Sequence, residues 1–258
     1  MGQRDWHNHL DRAIEEEYNL RRFVIGDVHG QFDALMLLVE KIDLQPKDQL
    51  FFLGDLIDRG PKSAEVVEWV KANNFPCIKG NHEIMCLDAY GSPDSPGIWQ
   101  GWLVNGGART LQSYGEEGMS DEHLAWMWDL PLYLDLGEVW LVHAGVNPLL
   151  PLDDQSANEF CWIREEFHSS TAPYFPDKTI ITGHTITFTF AGVQPGQIVR
   201  GAGWIDIDTG AYHPKSGWLT ALDIDGWIVH QTNAFNHQYR CFPLADIVVS
   251  GGQSYFRS

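Results

Sequence analysis

One local pattern recurs along the first 185 residues: a short apolar run, then a glycine beside an Asp, Asn or His. Gln49-Leu50-Phe51-Phe52-Leu53 has the continuous apolar character of a buried strand, and the apolar spacing over 63–71 predicts a helix. Between them lies Gly54-Asp55-Leu56-Ile57-Asp58-Arg59-Gly60-Pro61. Strand-like residues 22–25 lead into Gly26-Asp27-Val28-His29-Gly30, and 76–79 lead into Gly80-Asn81-His82-Glu83. Residues 139–142 lead into His143-Ala144-Gly145, and 178–181 precede Gly183-His184-Thr185.

The rest of the pattern fills in an α/β (α+β) chain. Leu35, Leu38, Val39 and Ile42 predict a helix over 32–42. Helices are expected within 83–114, interrupted at Gly91-Ser92-Pro93 and resumed around Trp99, Trp102 and Leu103. A short helix is expected over 124–128, and a hairpin turned at Gly137 joins 132–136 to 139–142. Strands over 204–207, 218–222 and 227–230 make the last third strand-rich, which implies two sheets.

A single Asp after a strand is ordinarily a helix cap or turn residue. Five such tips, supplying two Asp, one Asn and three His, predict a metal site on the loops leaving a sheet edge, where open α/β sheets place their chemistry. These hard and borderline donors suit Mn, Fe or Zn rather than a thiolate site. Asp27 and His29, two apart in an extended segment, project to one side and can close on one ion. Asp55 can bridge to a second ion, which Asn81, His143 and His184 complete. Two-metal hydrolases hold their ions roughly 3.5–4 Å apart and acidify a water between them to a pKa of about 7, which supplies a hydroxide for direct attack on phosphorus.

In this order the motifs resemble the phosphoprotein phosphatase branch of the metallophosphoesterases, whose signature runs GDxHG, GDxxDRG, GNHE, HAG and a late GH. The match spans roughly residues 21 to 230. It looks closest to compact bacterial and phage serine/threonine phosphatases, which share Trp162-Ile163-Arg164-Glu165 and Asn105-Gly106-Gly107. The resemblance implies a four-layer metallophosphoesterase fold, a central β-sandwich of two mixed sheets flanked by helices. Residues 1–20 would be an N-terminal arm and 21–258 a single calcineurin-like domain. It implies the same six metal ligands. It also makes His82 the proton donor, held by Asp58, and has Arg59 and Arg164 fork onto phosphoryl oxygens. For Asn105, Gly106 and Arg109, helix packing and an ordinary turn explain more than substrate contact does.

The implied activity is a metal-dependent phosphomonoesterase acting on phosphoserine or phosphothreonine, extending to phosphotyrosine. The alternative is a dinucleoside polyphosphate (Ap4A-type) hydrolase, which shares most of the signature. In symmetrical hydrolases the position of Asp58 is commonly alanine and the residue after GNH is aspartate, so Asp58 and Glu83 favour the phosphatase. A non-enzymatic scaffold on the same fold is disfavoured, because such relatives lose ligands or the acid histidine.

Composition narrows the partners. Lys plus Arg minus Asp plus Glu is 17 − 35 = −18, which argues against nucleic acid and anionic membranes and leaves a phosphorylated protein or peptide, or a small phosphoester. No stretch has the apolar run of a signal peptide or a membrane span, so a cytoplasmic setting is expected. Met1-Gly2 fails the myristoylation pattern at Trp6. His7 and His9, with Asp5 and Asp11, read as a solvated arm. Cys77, Cys86, Cys161 and Cys241 lack metal spacing and read as buried, reduced thiols. The 11 tryptophans read as packing residues. The implied cofactor is two divalent ions, Mn foremost, with Fe, Zn, Co or Ni also allowed by the ligand types.

Overall fold

The computed structural model describes residues 20–251, so the expected N-terminal arm, with His7 and His9, lies outside the described residues. The strands are β1 (Arg22–Ile25), β2 (Gln49–Phe52), β3 (Tyr133–Asp135), β4 (Val139–Val142), β5 (Thr179–Thr182), β6 (Ile198–Gly201), β7 (Trp204–Asp206), β8 (Trp218–Asp223), β9 (Ile228–Asn233), β10 (Tyr239–Pro243) and β11 (Val248–Ser250). They form a five-stranded sheet in the order β10-β9-β8-β1-β2 and a six-stranded sheet in the order β11-β6-β7-β5-β4-β3. Both are mixed: β1 runs parallel to β2 and antiparallel to β8, and β5 runs parallel to β4 and β7 while β6 opposes β7.

The layers follow from side-chain alternation on fully buried strands. Side chains point alternately to opposite faces, so Phe23 and Ile25 of β1 and Leu50 and Phe52 of β2 join one apolar cluster, while Val24 and Phe51 join another. The first cluster packs under the helices Phe32–Ile42, Ser63–Ala72 and Asn81–Gly91, which contribute Leu35, Leu38, Val66, Val70 and Cys86. The second cluster lies between the sheets, where Val24 and Leu222 face Leu141, Ile181 and Ile205. Trp140, Val142 and Ile180 turn to the outer face of the second sheet and meet Phe160 and Phe167. Each fully buried aliphatic or aromatic side chain contributes roughly 1.5–3 kcal/mol of transfer free energy, which makes this alternation a strong determinant of register. The result is the expected sandwich of two mixed sheets flanked by helices.

Local expectations differ from the structure in places. Residues 76–79 form a single parallel bridge, Phe52 to Cys77, rather than a strand. Pro76 has no N–H to continue a ladder, and the Lys79 N–H turns away to Pro131 O. Cys77, Cys86 and Cys161 are buried free thiols, but Cys241 is exposed, because it lies on the edge strand β10. Among the described residues no helix is long and apolar enough to cross a membrane.

Candidate metal centre

The loops after β1, β2, β4 and β5, together with the N-terminus of the helix Asn81–Gly91, converge at one end of the sandwich. Both sheets contribute, rather than the edge of one. Asp27, His29, Asp55, Asn81, His143 and His184 are all buried there, as are Asp58 and His82. Donor atoms of His29, Asp55 and His82 lie within 4.8 Å of one another, and so do those of Asp27, Asp55 and His143. Asp55 belongs to both groups, as a shared carboxylate would, whereas Asp27 and His29 fall in different ones. The segment is not extended at His29, whose φ is 46°.

The backbone here is strained in a concentrated way. Of the nine non-glycine residues at positive φ among the described residues, five are His29, Asp55, Asp58, Arg59 and His184. A left-handed L-residue is uncommon outside turns, and clustering of such residues marks a site that the surrounding structure holds in place. The glycines before Asn81 and His184 are needed for close approach, since a Cβ on Gly80 would collide with Asp55 Oδ1 and one on Gly183 with Asp27 Oδ1.

Hydrogen bonding settles how the imidazoles are presented. His143 Nδ1–H donates to Leu53 O at 2.8 Å, and His29 Nδ1–H donates to Ile57 O at 2.9 Å. Their Nε2 atoms then face the site: that of His143 lies 2.9 Å from Asn81 Oδ1, and that of His29 lies 3.5 Å from Asp55 Oδ2 and accepts from Arg59 Nη1 at 3.2 Å. At His143, lone pair against lone pair is unfavourable unless a cation sits between, and a backbone carbonyl behind the imidazole, as at both residues, is how metal-bound histidines are held. His184 Nδ1 also lies 2.9 Å from Asn81 Oδ1, and its buried Nε2 has no hydrogen-bond partner.

Burial, helped by the neighbouring cations, pulls His29 and His184 well below the usual imidazole range, and burial also lowers His143, so all three are neutral donors. Burial and the charges of Asp208, Asp55 and Asp206 push Asp27 well above the usual carboxylate range. Burial acts the same way on Asp55, but a proton on His143, His82 or His29, together with the His82 N–H at 2.9 Å, outweighs it and holds the carboxyl low. Neutral imidazoles and crowded carboxylates are the donor set that divalent cations satisfy, so the residues fit a dinuclear site.

Around this cluster are the charged and proton-bearing groups. His82 Nδ1 lies 2.7 Å from Asp58 Oδ2. Asp58 also accepts from Trp102 Nε1 at 3.0 and 3.1 Å and from Thr110 Oγ1 at 2.6 Å. Trp102 is therefore more than a packing residue. Half-buried Arg59 places Nη1 3.2 Å from His29 Nε2, and its guanidinium lies 4.3 Å from the centroid of the Tyr212 ring. Asn105-Gly106-Gly107 clasps Arg59 by backbone: Arg59 N–H donates to Gly106 O, and a Cβ on Gly106 would meet Arg59 Cγ. Arg109 points to Gln112 on the surface. Arg164 is exposed and donates from Nη1 to Thr185 Oγ1 at 2.9 Å and His184 O at 3.3 Å.

Two residues of this neighbourhood are absent from the sequence expectations. Asp208, buried beside Asp27, Asp55 and both arginines, is pushed by burial up to about 6. It follows β7 as Asp208-Thr209-Gly210, a sixth occurrence of the strand-then-acid-by-glycine pattern that could have revealed it. Tyr212, edge-on to His29 at 4.8 Å, has no comparable signal.

Glu83 is fully buried and accepts from the N–H groups of Asp55 (2.8 Å), Leu56 (2.9 Å) and Gly80 (2.9 Å). It ties the Asp55 loop to the Asn81 loop and faces no solvent. Asp58 is equally enclosed. Both side chains are shut off from solvent, so the sequence reading that took them as marks of the phosphatase branch has no substrate contact to support it.

Comparison with known proteins bears on that same point. A relative from Methylobacillus flagellatus is 33% identical over 49% of this chain and 43% of its own length, and one from Salmonella paratyphi C is 34% identical over 60% and 53%. Both are named symmetrical bis(5'-nucleosyl)-tetraphosphatases, and the chain spans about half the length of these relatives. They overturn the expectation of a phosphoprotein phosphatase. A crystal structure described as a candidate diadenosine tetraphosphatase superposes over 85% of this chain and 96% of its own, with a TM-score of 0.64 at 19% identity, a likeness of fold. Residues 20–229 match the family described as calcineurin-like phosphoesterase, and the chain belongs to that family.

Proposed function

We propose that the chain is a metal-dependent hydrolase of dinucleoside polyphosphates, cleaving diadenosine tetraphosphate symmetrically into two ADP. The observation that carries the reading is the naming of its 33–34% identical relatives as symmetrical tetraphosphatases. The geometry supports it. Arg59 stands at the His29 end of the buried cluster and Arg164 at the His184 end, so a polyphosphate longer than one phosphoryl group has a cation at each end. The overall charge of −18 is offset locally by these two guanidinium groups and the cations that the cluster suits.

Asp27, His29, Asp55, Asn81, His143 and His184 would hold two divalent ions, with Asp55 shared. Bound there, the ions would neutralise phosphoryl charge and provide an activated water. Arg59 and Arg164 grip phosphoryl oxygens, each with the planar fork that suits them. Tyr212 stacks on Arg59 and limits its swing. An attacking water would bond to phosphorus as the bridging P–O bond breaks, losing its proton to solvent, and the electron pair would leave with the departing ADP oxygen. His82, its Nδ1–H fixed on Asp58, presents Nε2 towards the site, 3.8 Å from Asp55 Oδ2, where it can give a hydrogen bond or a proton to the leaving oxygen.

The test is side-by-side turnover of diadenosine tetraphosphate and a phosphoserine peptide by the Mn-loaded protein, with nucleotides resolved by chromatography. ADP as the sole nucleotide product, with little release from the peptide, is expected. Rapid dephosphorylation of the peptide with intact tetraphosphate would overturn the reading, and AMP plus ATP would overturn its symmetry.

A further inference from the structure

Beside the cluster, a cavity of about 480 Å³ opens to solvent between the β4 loop and the helices Ala157–Trp162 and Glu165–His168. Its lining includes Asn147, Asn158, Trp162 and Arg164, together with Glu159, Glu165 and Glu166. We propose that this cavity is a nucleoside-binding subsite, with the indole of Trp162 as the platform on which a base stacks. The inference rests on the dinucleoside polyphosphate reading and assigns it a place for one nucleoside.

Four observations converge. First, the cavity connects directly to the cluster: Asn147 follows His143 by four residues, Arg164 donates to His184 O, and the Trp162 ring lies 6.4 Å from the His184 ring. Second, Trp162 is 40% exposed, so an aromatic face that the core could have used is left open at the cavity. Third, the volume falls within the usual 300–1,000 Å³ of small-ligand pockets. Fourth, the lining is chemically mixed. Arg164 is its one cation, beside Glu159, Glu165 and Glu166, and the Glu159 carboxylate is already taken by Ser156. Arg164 favours a phosphoryl group, and the amides of Asn147 and Asn158 can exchange hydrogen bonds with a neutral base. A ligand with a phosphoryl chain at one end and a flat, hydrogen-bonding base at the other matches that lining.

Stacking of a base on an aromatic side chain is worth roughly 5- to 150-fold in affinity. The experiment is calorimetric titration of the Mn-loaded protein with ADP and with inorganic pyrophosphate, in the wild type, Trp162→Ala and Trp162→Phe. The wild type should bind ADP more tightly than pyrophosphate. Trp162→Ala should weaken ADP by about 10- to 100-fold and leave pyrophosphate unchanged, and Trp162→Phe should restore most of the ADP affinity. Unchanged ADP binding in Trp162→Ala, or equal weakening of both ligands, would overturn the subsite. Binding needs no turnover, so the two readings separate. Tetraphosphate cleavage with ADP binding indifferent to Trp162 removes only the subsite, while Trp162-dependent ADP binding without cleavage removes only the activity.

Discussion

Replacing His82 by Asn separates proton donation from metal binding, because the imidazole is held from behind. Its Nδ1–H lies 2.7 Å from Asp58, the ring is 1% exposed, and its Nε2 is the atom turned towards the Asp55 carboxylate. General acid catalysis is worth about 10²–10⁴ in rate, or roughly 3–5 kcal/mol of barrier. That full loss applies only where the leaving oxygen is a poor one. An alkyl phosphomonoester such as glycerol phosphate expels an alkoxide and should lose about 10²–10⁴ in His82→Asn. A tetraphosphate expels a phosphate whose second pKa is about 6, so it departs largely without a proton and should lose only about tenfold. Asp58→Asn keeps most of the donors satisfied, since the amide can keep its oxygen towards His82 and Trp102 while its NH₂ faces the rotatable Thr110 hydroxyl. It removes only the charge behind the imidazole and should follow the same ranking with smaller losses. The assay is kcat/KM for both substrates together with metal content. Equal losses on both substrates with two ions retained would refute proton donation, and loss of an ion would make His82 a ligand.

Glu83→Ala leaves three buried backbone N–H groups without their acceptor and should cost about 3–5 kcal/mol, lowering Tm by roughly 10 °C; an unchanged melt would contradict the clasp. Glu83→Asp keeps an acceptor and, because the side chain faces no substrate, should leave the ratio of tetraphosphate to phosphopeptide turnover unaltered. On the opposite flank, Asp48 accepts from Arg21 and the Gln45 N–H, and although its burial works the other way, these contacts hold its carboxyl below the usual range. A folded pKa below the unfolded value of about 3.9 stabilises above that pH and is lost as pH falls through the folded value. Asp48→Asn should therefore cost about 1 kcal/mol at pH 7, with the gap to wild type closing below about pH 4; a gap that stays constant across pH 3–7 would exclude the ion pair as its source.

The strand tips were legible because their signal is local: alternation buries β1, β2, β4 and β5 on both faces, and a glycine beside each ligand answers a crowding that Gly80 and Gly183 display. The edges were not. Tyr239–Pro243 and Val248–Ser250 are short, half-exposed strands whose polarity gives no clear period, and Ile198–Gly201 is followed at once by a turn. The polar support of the site was invisible for another reason. Trp102 and Thr110 reach Asp58 across 44 and 52 residues, and Glu83 reaches Leu56 across 27, distances over which no sequence period operates. Glu83, weighed in the sequence only as a mark of the phosphatase branch, is revealed as a structural clasp by its three backbone partners.

The central claim is that six residues from five loops form one two-ion site shared through Asp55, and anomalous scattering from crystals of the Mn-loaded protein tests it most directly. Two Mn peaks roughly 3.5–4 Å apart with Asp55 between them are expected, with loss of at least one peak in Asp55→Asn. A single ion, or two that persist without the Asp55 carboxylate, would contradict it.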